Sequence, residues 1–383
     1  LQFGGVNEES YGIAGSVGVT FNGPDSYFGY LAAGQSVTLT YVVKNTDNNG
    51  ASVNQNYAVT VTGTNQAPTY AVSGSNVAAS LAEQANLTGS STADSATGVI
   101  RFADPNLTDT HTFKVVAVTG DGYISGLPSD ATVLAWLKAG AVTEPTMTTP
   151  GSAAWTFSAP DSAFDYLAVG QAFTLTYTVQ LTDKAGANFQ QNIVLTVTGA
   201  NDAPVIASGS QTSVTLTRGA TTPGAESLDV YAGVLRFTDP EQSDTHTVTV
   251  TGVTLSGASA GLSSVDTSTI LSWLQIGGVN EESGTIAASV GANFSAADKY
   301  FSYLSAGQSV TLNYTVKVTD NNGAFYTQAF AVTANGVNYA PTAINHSGYT
   351  TDNWTALTIT GASLVAGATD ANAADTLTLS GVS

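Results

Sequence analysis

Carboxylates dominate the chemistry open to this sequence. Aspartates recur as pairs five residues apart, Asp104 with Asp109, Asp239 with Asp244 and Asp370 with Asp375. Others open turns that close on glycine: Asp47 before Gly50, Asp183 before Gly186 and Asp320 before Gly323. One more, Asp202, precedes the dipeptide Ala203-Pro204. Calcium is a hard cation that takes about six to eight oxygens from carboxylates, carbonyls and water, and acids spaced in loops supply such oxygens. All ten aspartates are therefore candidate metal ligands, with Asp183 and Asp202 first among them. The competing role for each is to cap a turn through hydrogen bonds to nearby backbone N–H groups.

Other constellations point to less. The neighbours Glu8-Glu9 and Glu281-Glu282 resemble an acid–base pair, but adjacent residues on a strand face opposite ways, so solvated loops are expected. Gly257-Ala258-Ser259-Ala260-Gly261 matches the spacing of a nucleophile elbow; the corresponding stretch Ile124-Ser125-Gly126-Leu127 lacks it, so no catalytic residue is assigned. His111 and His246 occupy one slot of an alternating strand, and His346 stands apart. With no cysteine in the chain, three histidines form no zinc pattern, and the first two are expected on a strand surface. The aromatics Tyr27, Phe28 and Tyr30, with Tyr300, Phe301 and Tyr303, raise the alternative of a glycan platform. The recurrence of Phe164 and Tyr166 at the same places argues that part of that set fills a core.

The elements that would carry these residues are repeated. Val197-Thr198-Gly199-Ala200-Asn201-Asp202-Ala203-Pro204 returns in variant form before Pro68 and Pro341, and the three prolines stand 136 and 137 residues apart. A period of that size marks tandem domains. Residues 69–204 and 205–341 are read as complete repeats, 1–68 as the rear part of another and 342–383 as the front part of a fourth. Leu1 to Ser10 matches Leu274 to Ser283 at nine of ten positions, which places the first fragment. Because position 1 is not methionine and falls inside a repeat, the sequence reads as part of something longer.

Within a repeat, Phe173, Leu175, Tyr177, Val179 and Leu181 alternate with polar residues, the period of a strand buried on one face. A second strand with Ile193, Leu195 and Val197 follows the Asp183 turn, completing a terminal hairpin. Short helical turns are predicted only around residues 133–137 and 270–274. The sequence thus predicts an all-β fold of tandem immunoglobulin-type sandwiches, each with a short helical insertion. A Leu-x-x-Gly corner precedes each long strand, and Tyr41, Tyr177 and Tyr314 are expected to bond backbone there. If the terminal turn of one repeat meets an early loop of the next, a cation held between them would stiffen the junction.

Charge narrows the partners. Charged residues make up 10% of the 383, with 28 acids against 9 bases and a net charge of −19. So few scattered cations build no phosphate-binding surface, which argues against nucleic acid and against anionic lipid. No apolar run is long enough to insert in a membrane, and no leader segment is recognisable.

The run from Phe164 through Gly170 and Tyr177 to Asp183, followed by Val197 to Pro204, resembles the VCBS repeat. The front half agrees: Gly98-Val99-Ile100-Arg101-Phe102-Ala103-Asp104-Pro105 and Gly233-Val234-Leu235-Arg236-Phe237-Thr238-Asp239-Pro240. The resemblance covers nearly the whole chain and departs where Gln66 and Tyr339 replace the junction aspartate, Asp202. It implies cadherin-like modules with calcium near their junctions, in a large RTX-type bacterial surface or secreted protein exported by type I secretion. The expected role is a calcium-stiffened adhesin stalk or filament in adhesion or biofilm formation. Its expected partners are neighbouring repeats, other copies of the chain, or a host or matrix protein or glycan. Carrier repeats of a secreted enzyme and a glycan-binding module are the alternatives.

Overall fold

The computed structural model describes residues 1–8, 15–218, 223–282 and 286–381. Two compact units divide the chain: residues 1–84 with 89–200, and 85–88 with 201–383. Among the described residues, no helix is long and apolar enough to cross a membrane.

The first unit opens with two hairpins, β1 (Gln2–Glu8) with β2 (Gly15–Thr20) and β3 (Ser36–Thr46) with β4 (Ser52–Thr62). Eight strands follow: β5 (Thr69–Ala71), β6 (Ala78–Ala82), β7 (Ala93–Ala103), β8 (His111–Gly122), β9 (Leu137–Thr143), β10 (Gly151–Pro160), β11 (Ala172–Asp183) and β12 (Asn188–Thr198). They form two four-stranded sheets, β5-β7-β10-β9 and β6-β12-β11-β8. Strand β11 shows why they pack: strict alternation buries Phe173, Leu175, Tyr177, Val179 and Leu181 while the threonines between them face outward. From the facing sheet Ile100, Trp155 and Phe157 complete the core.

The second unit repeats this plan with β13 (Val205–Ile206), β14 (Ser213–Leu216), β15 (Leu228–Thr238), β16 (His246–Gly257), β17 (Leu274–Glu281), β18 (Ala287–Ala297), β19 (Ser309–Asp320) and β20 (Phe325–Asn335). The sheets are β13-β15-β18-β17 and β14-β20-β19-β16. In both repeats the opening chain is split between sheets, and its second piece lies parallel to the last strand, β6 on β12 and β14 on β20. The all-β sandwich read from the sequence is the architecture found.

The short helical insertions are present as α1 (Asp130–Trp136) and α2 (Thr267–Ser272). They also correct the expectation for the long-strand tyrosines. The Tyr177 hydroxyl donates to the Val133 carbonyl at 2.7 Å, and that of Tyr314 to the Ile270 carbonyl at 2.9 Å. Both tyrosines therefore bond backbone as expected, but the backbone is that of the helix. Carbonyls in the last turn of a helix are short of intrahelical partners, and the core hydroxyls add a donor there; the Ile270 carbonyl also accepts the Trp273 N–H at 3.2 Å. The Leu-x-x-Gly corner is held by other means: Gly170 takes φ +83°, a conformation open to glycine. The Leu167 carbonyl packs against Gly199, where an added Cβ would stand 2.2 Å from the oxygen.

Candidate metal centres

Strand direction gathers the aspartates. Strand β11 runs antiparallel to β8 so that Asp183 pairs with His111, which returns the terminal turn to the end of the sandwich where β7 stops and β8 starts. Asp104, Asp109 and Asp183 consequently share one place in the first unit, each offering an oxygen within 4.8 Å of the others. In the second unit β19 pairs with β16, Asp320 opposite His246, and Asp239, Asp244 and Asp320 come together within the same limit. This corrects the expected geometry: the terminal turn meets the early loop of its own repeat, because a hairpin strand must come back along its neighbour. Asp183 accordingly joins Asp104 and Asp109.

In the first cluster most carboxylate oxygens are in use. Asp183 accepts from the Ala187 N–H at 2.9 Å and from the Asn65 side-chain amide at 2.9 Å. Asp104 accepts from the Asn106 N–H at 2.7 Å and pairs with His111 Nε2 at 3.0 Å. Asp109 differs: its Oδ2 is buried with no hydrogen-bond partner. Burial, then the charges of Asp104 and Asp183, hold its pKa above the usual carboxylate value. Several buried carboxylate oxygens, one of them unpartnered, form a donor set suited to a hard cation.

The second cluster is better satisfied. Asp320 Oδ1 accepts from the backbone N–H groups of Asn322, Gly323 and Ala324, and Oδ2 accepts from the Asn201 amide at 2.9 Å. Asp244 accepts from Asn322 Nδ2 at 2.9 Å. Burial raises the Asp244 pKa, opposed by that amide.

A linker residue is tied to each cluster. Asn65 bonds Asp183 and Asn201 bonds Asp320. The next linker N–H is clamped as well: Gln66 donates to Asn106 Oδ1, Asp202 to Glu241 Oε1 and Tyr339 to Asn372 Oδ1, each at 2.7 Å. Asn106 and Asn372 also donate through their amides, to the carbonyls of Gly29 and Leu31 and to those of Ser302, Leu304 and Val337. Glu241 replaces the asparagine, and burial drives its pKa far above the ordinary carboxylate range.

The remaining candidates have other partners. Asp202 accepts the Leu87 N–H at 2.9 Å. Asp47 is exposed and caps its turn through the Asn49 and Ala51 N–H groups, both at 2.9 Å. Asp370 accepts the Asn372 N–H at 2.8 Å, and Asp375 is exposed. Among the described residues these four belong to neither of the two clusters.

No family model matches the chain, and no curated protein matches it. Some solved structures are similar to parts of it. They include the protocadherin GammaB4 extracellular domain, 12% identical over 81% of this chain and 40% of that one, with a TM-score of 0.34. Human CDH23 EC21-23 is 16% identical over 80% of each chain, with a TM-score of 0.32. Yersinia pseudotuberculosis adhesin InvE is 12% identical over 69% of this chain and 60% of that one, with a TM-score of 0.22. The chain spans 40% and 61% of the first two protocadherin chains it resembles.

Several functional groups escaped the sequence reading. His111 and His246 are not strand-surface residues: their side chains are 0% and 4% exposed. Each imidazole lies between two carboxylates, His111 between Asp104 and Glu144, His246 between Asp239 and Glu281. Glu281 is consequently the end of a strand rather than a solvated loop, and Glu8 likewise ends β1; Glu9 lies outside the described residues. Four acids of the first unit were overlooked altogether: Glu83, Asp94, Asp161 and Asp165, all at least nine-tenths buried. Asp161 starts the 3-10 turn after β10, and its Oδ1 accepts the Gln84 N–H at 2.9 Å. The second oxygens of Asp94, Asp161 and Asp165 are buried without a hydrogen-bond partner.

The catalytic and glycan alternatives gain no geometry. Ser259 closes a turn through its N–H to the Gly257 carbonyl at 2.9 Å, and its hydroxyl has no histidine partner among the described residues. Phe301 is fully buried and Tyr303 is pinned to the Ala258 carbonyl.

Proposed function

We propose that this chain is a run of structural and adhesive repeats of an extracellular protein, with calcium fixing each linker to the repeat that follows it. The observation that carries the reading is the pair of Asp-Asp-Asp clusters, built at one place in two repeats and each bonded to a linker asparagine. Asp104, Asp109 and Asp183 would hold one ion, and Asp239, Asp244 and Asp320 another. The bound metal would supply positive charge where buried carboxylates repel one another. The protein itself supplies orientation: His111 and His246 hold one aspartate each, turn N–H groups hold Asp183 and Asp320, and Asn65 and Asn201 carry the restraint into the linker.

Extracellular calcium modules bind at roughly 10⁻⁴ to 10⁻³ M, which suits a protein that works outside the cell. The VCBS-like spacing agrees with repeats of a bacterial surface or secreted protein, where stiff linkers give reach. Calorimetric titration of the intact chain with calcium tests the reading, followed by terbium luminescence as a check on site occupancy. Saturable millimolar binding is expected, and its absence would remove the metal from the mechanism.

A further inference from the structure

The ends of the two complete repeats where the last strand enters the following linker are built alike, with one exchange of charge. In the first unit Leu81 of β6 lies beside Val197 of β12, and Glu83 follows two residues later. In the second unit Leu216 of β14 lies beside Ala334 of β20, which answers Val197, and two residues later stands Arg218. The acids around this position are retained. Asp94 pairs with Ala159 and Asp229 with Ala296 at the same register, and Asp161 and Asp298 each open a 3-10 turn.

The Arg218 side chain is 1% exposed and surrounded by acceptors. Its Nε and Nη2 donate to Asp298 Oδ1 at 2.9 and 2.8 Å, and its Nη1 to the Asn335 carbonyl at 3.2 Å. Asp229 Oδ2 lies 3.7 Å from Nε, an ion pair without a hydrogen bond, and like its counterpart Asp94 Oδ2 it is buried with no hydrogen-bond partner. Tyr339, in the linker, donates its hydroxyl to Asp298 Oδ2 at 2.8 Å and accepts from Arg218 Nη2 at 3.0 Å. Asp298 is thereby bonded on both oxygens. Among the described residues of the first unit no cation bonds these acids: Asp94, Asp161 and Asp165 each keep a buried oxygen without a partner, and Glu83 and Asp165 offer oxygens within 4.8 Å of each other.

We propose that Arg218 is a resident cation, occupying the place where the other repeat leaves buried carboxylates for a divalent ion, so that the linker end of the second unit is locked without metal. The idea rests on the calcium reading above for the acid-lined ends and extends it: metal demand differs from one repeat to the next, set by a single side chain. A guanidinium suits this use because it is permanently charged and its donors are planar and divergent. The exchange at the linker has the same sense, Tyr339 standing where Asp202 stands one repeat earlier. A site already holding a positive charge has no need of a further acid.

Two reciprocal variants of the full chain test this, each melted in EDTA and in millimolar calcium with bound ions counted by calorimetry. Arg218→Glu is expected to melt lower than the parent in EDTA, to recover in calcium, and to bind one more ion. Glu83→Arg is expected to melt higher than the parent in EDTA and to bind one ion fewer. The proposal is overturned if Arg218→Glu gains neither an ion nor a larger calcium shift. It is equally overturned if Glu83→Arg melts no higher than the parent in EDTA, a reading that stands even if Arg218→Glu does not fold. Absence of calcium binding by the parent would defeat the calcium reading and with it the ion count expected here, whereas the role of Arg218 as a resident cation is decided by the rise of Glu83→Arg in EDTA, which needs no metal.

Discussion

A histidine held between two carboxylates does structural work that its place in an alternating strand conceals. His111, Phe113 and Val115 share one parity of β8, so the inward face of His111 was readable from the pattern. What the pattern lacked was the identity of its partners: Asp104 is seven residues away but Glu144 is 33 away, brought close only by the fold. His111→Leu should leave buried Asp104 Oδ2 without its 3.0 Å hydrogen-bond partner and lower unfolding free energy by about 1–3 kcal/mol, the cost of a buried acceptor left unsatisfied. Urea unfolding of the intact chain measures it; a change under half a kcal/mol would return His111 to the role of a surface residue. Asp94 makes a pH prediction of opposite sense to ordinary acid denaturation. Burial and the neighbouring Asp161 push its pKa up to about 6 from 3.8, so the folded state binds the proton more tightly than the unfolded state. In EDTA the associated stability is complete below about pH 4 and is lost as pH rises through about 6, a span of up to about 3 kcal/mol. Asp94→Asn should flatten that part of the stability–pH curve in EDTA, and an unchanged curve would show that Asp94 ionises normally.

At the scale of elements the sequence was informative wherever a local period sufficed. The alternation in β11 and β19, the turns closing on Gly186 and Gly323, and the two brief helices all follow from side chains within a few residues of one another. The parallel pairing of β6 with β12 did not, because its partners are more than a hundred residues apart. The same long-range step hid the acids Glu83, Asp161 and Asp165, because Glu83 follows β6 while the other two lie in the turn after β10. It also misplaced the terminal turn, whose destination depends on which strand β11 joins. Tyr177 shows how an element is fastened once the sheets have formed. Tyr177→Phe should keep the ring in the core and leave the Val133 carbonyl buried without a donor, a loss of about 1–3 kcal/mol. Hydrogen exchange would locate the effect in α1; uniform loosening of the whole unit would argue against a helix-specific clamp.

For the molecule as a whole, a charge of −19 carried by only 37 charged residues makes self-repulsion concentrated rather than diffuse, because the acids gather in buried sets. Simple salt screens exposed charges over about 8–10 Å and reaches buried ones poorly. Calcium at the same ionic strength should therefore raise the melting midpoint more than sodium chloride does, and more than magnesium, which demands tighter octahedral geometry and gives up its water reluctantly. Asp109→Asn separates the two effects. Its Oδ2 has no hydrogen-bond partner and its charge is opposed by burial and by Asp104 and Asp183, so removing the charge should stabilise the first unit in EDTA. The same change deletes an anionic ligand, and the calcium-dependent rise should shrink. Opposite signs in the two buffers are the signature of a carboxylate retained for a cation at the expense of the metal-free fold. A variant that melts lower in both would show instead that Asp109 serves the fold alone, and the metal centre would have to be built without it.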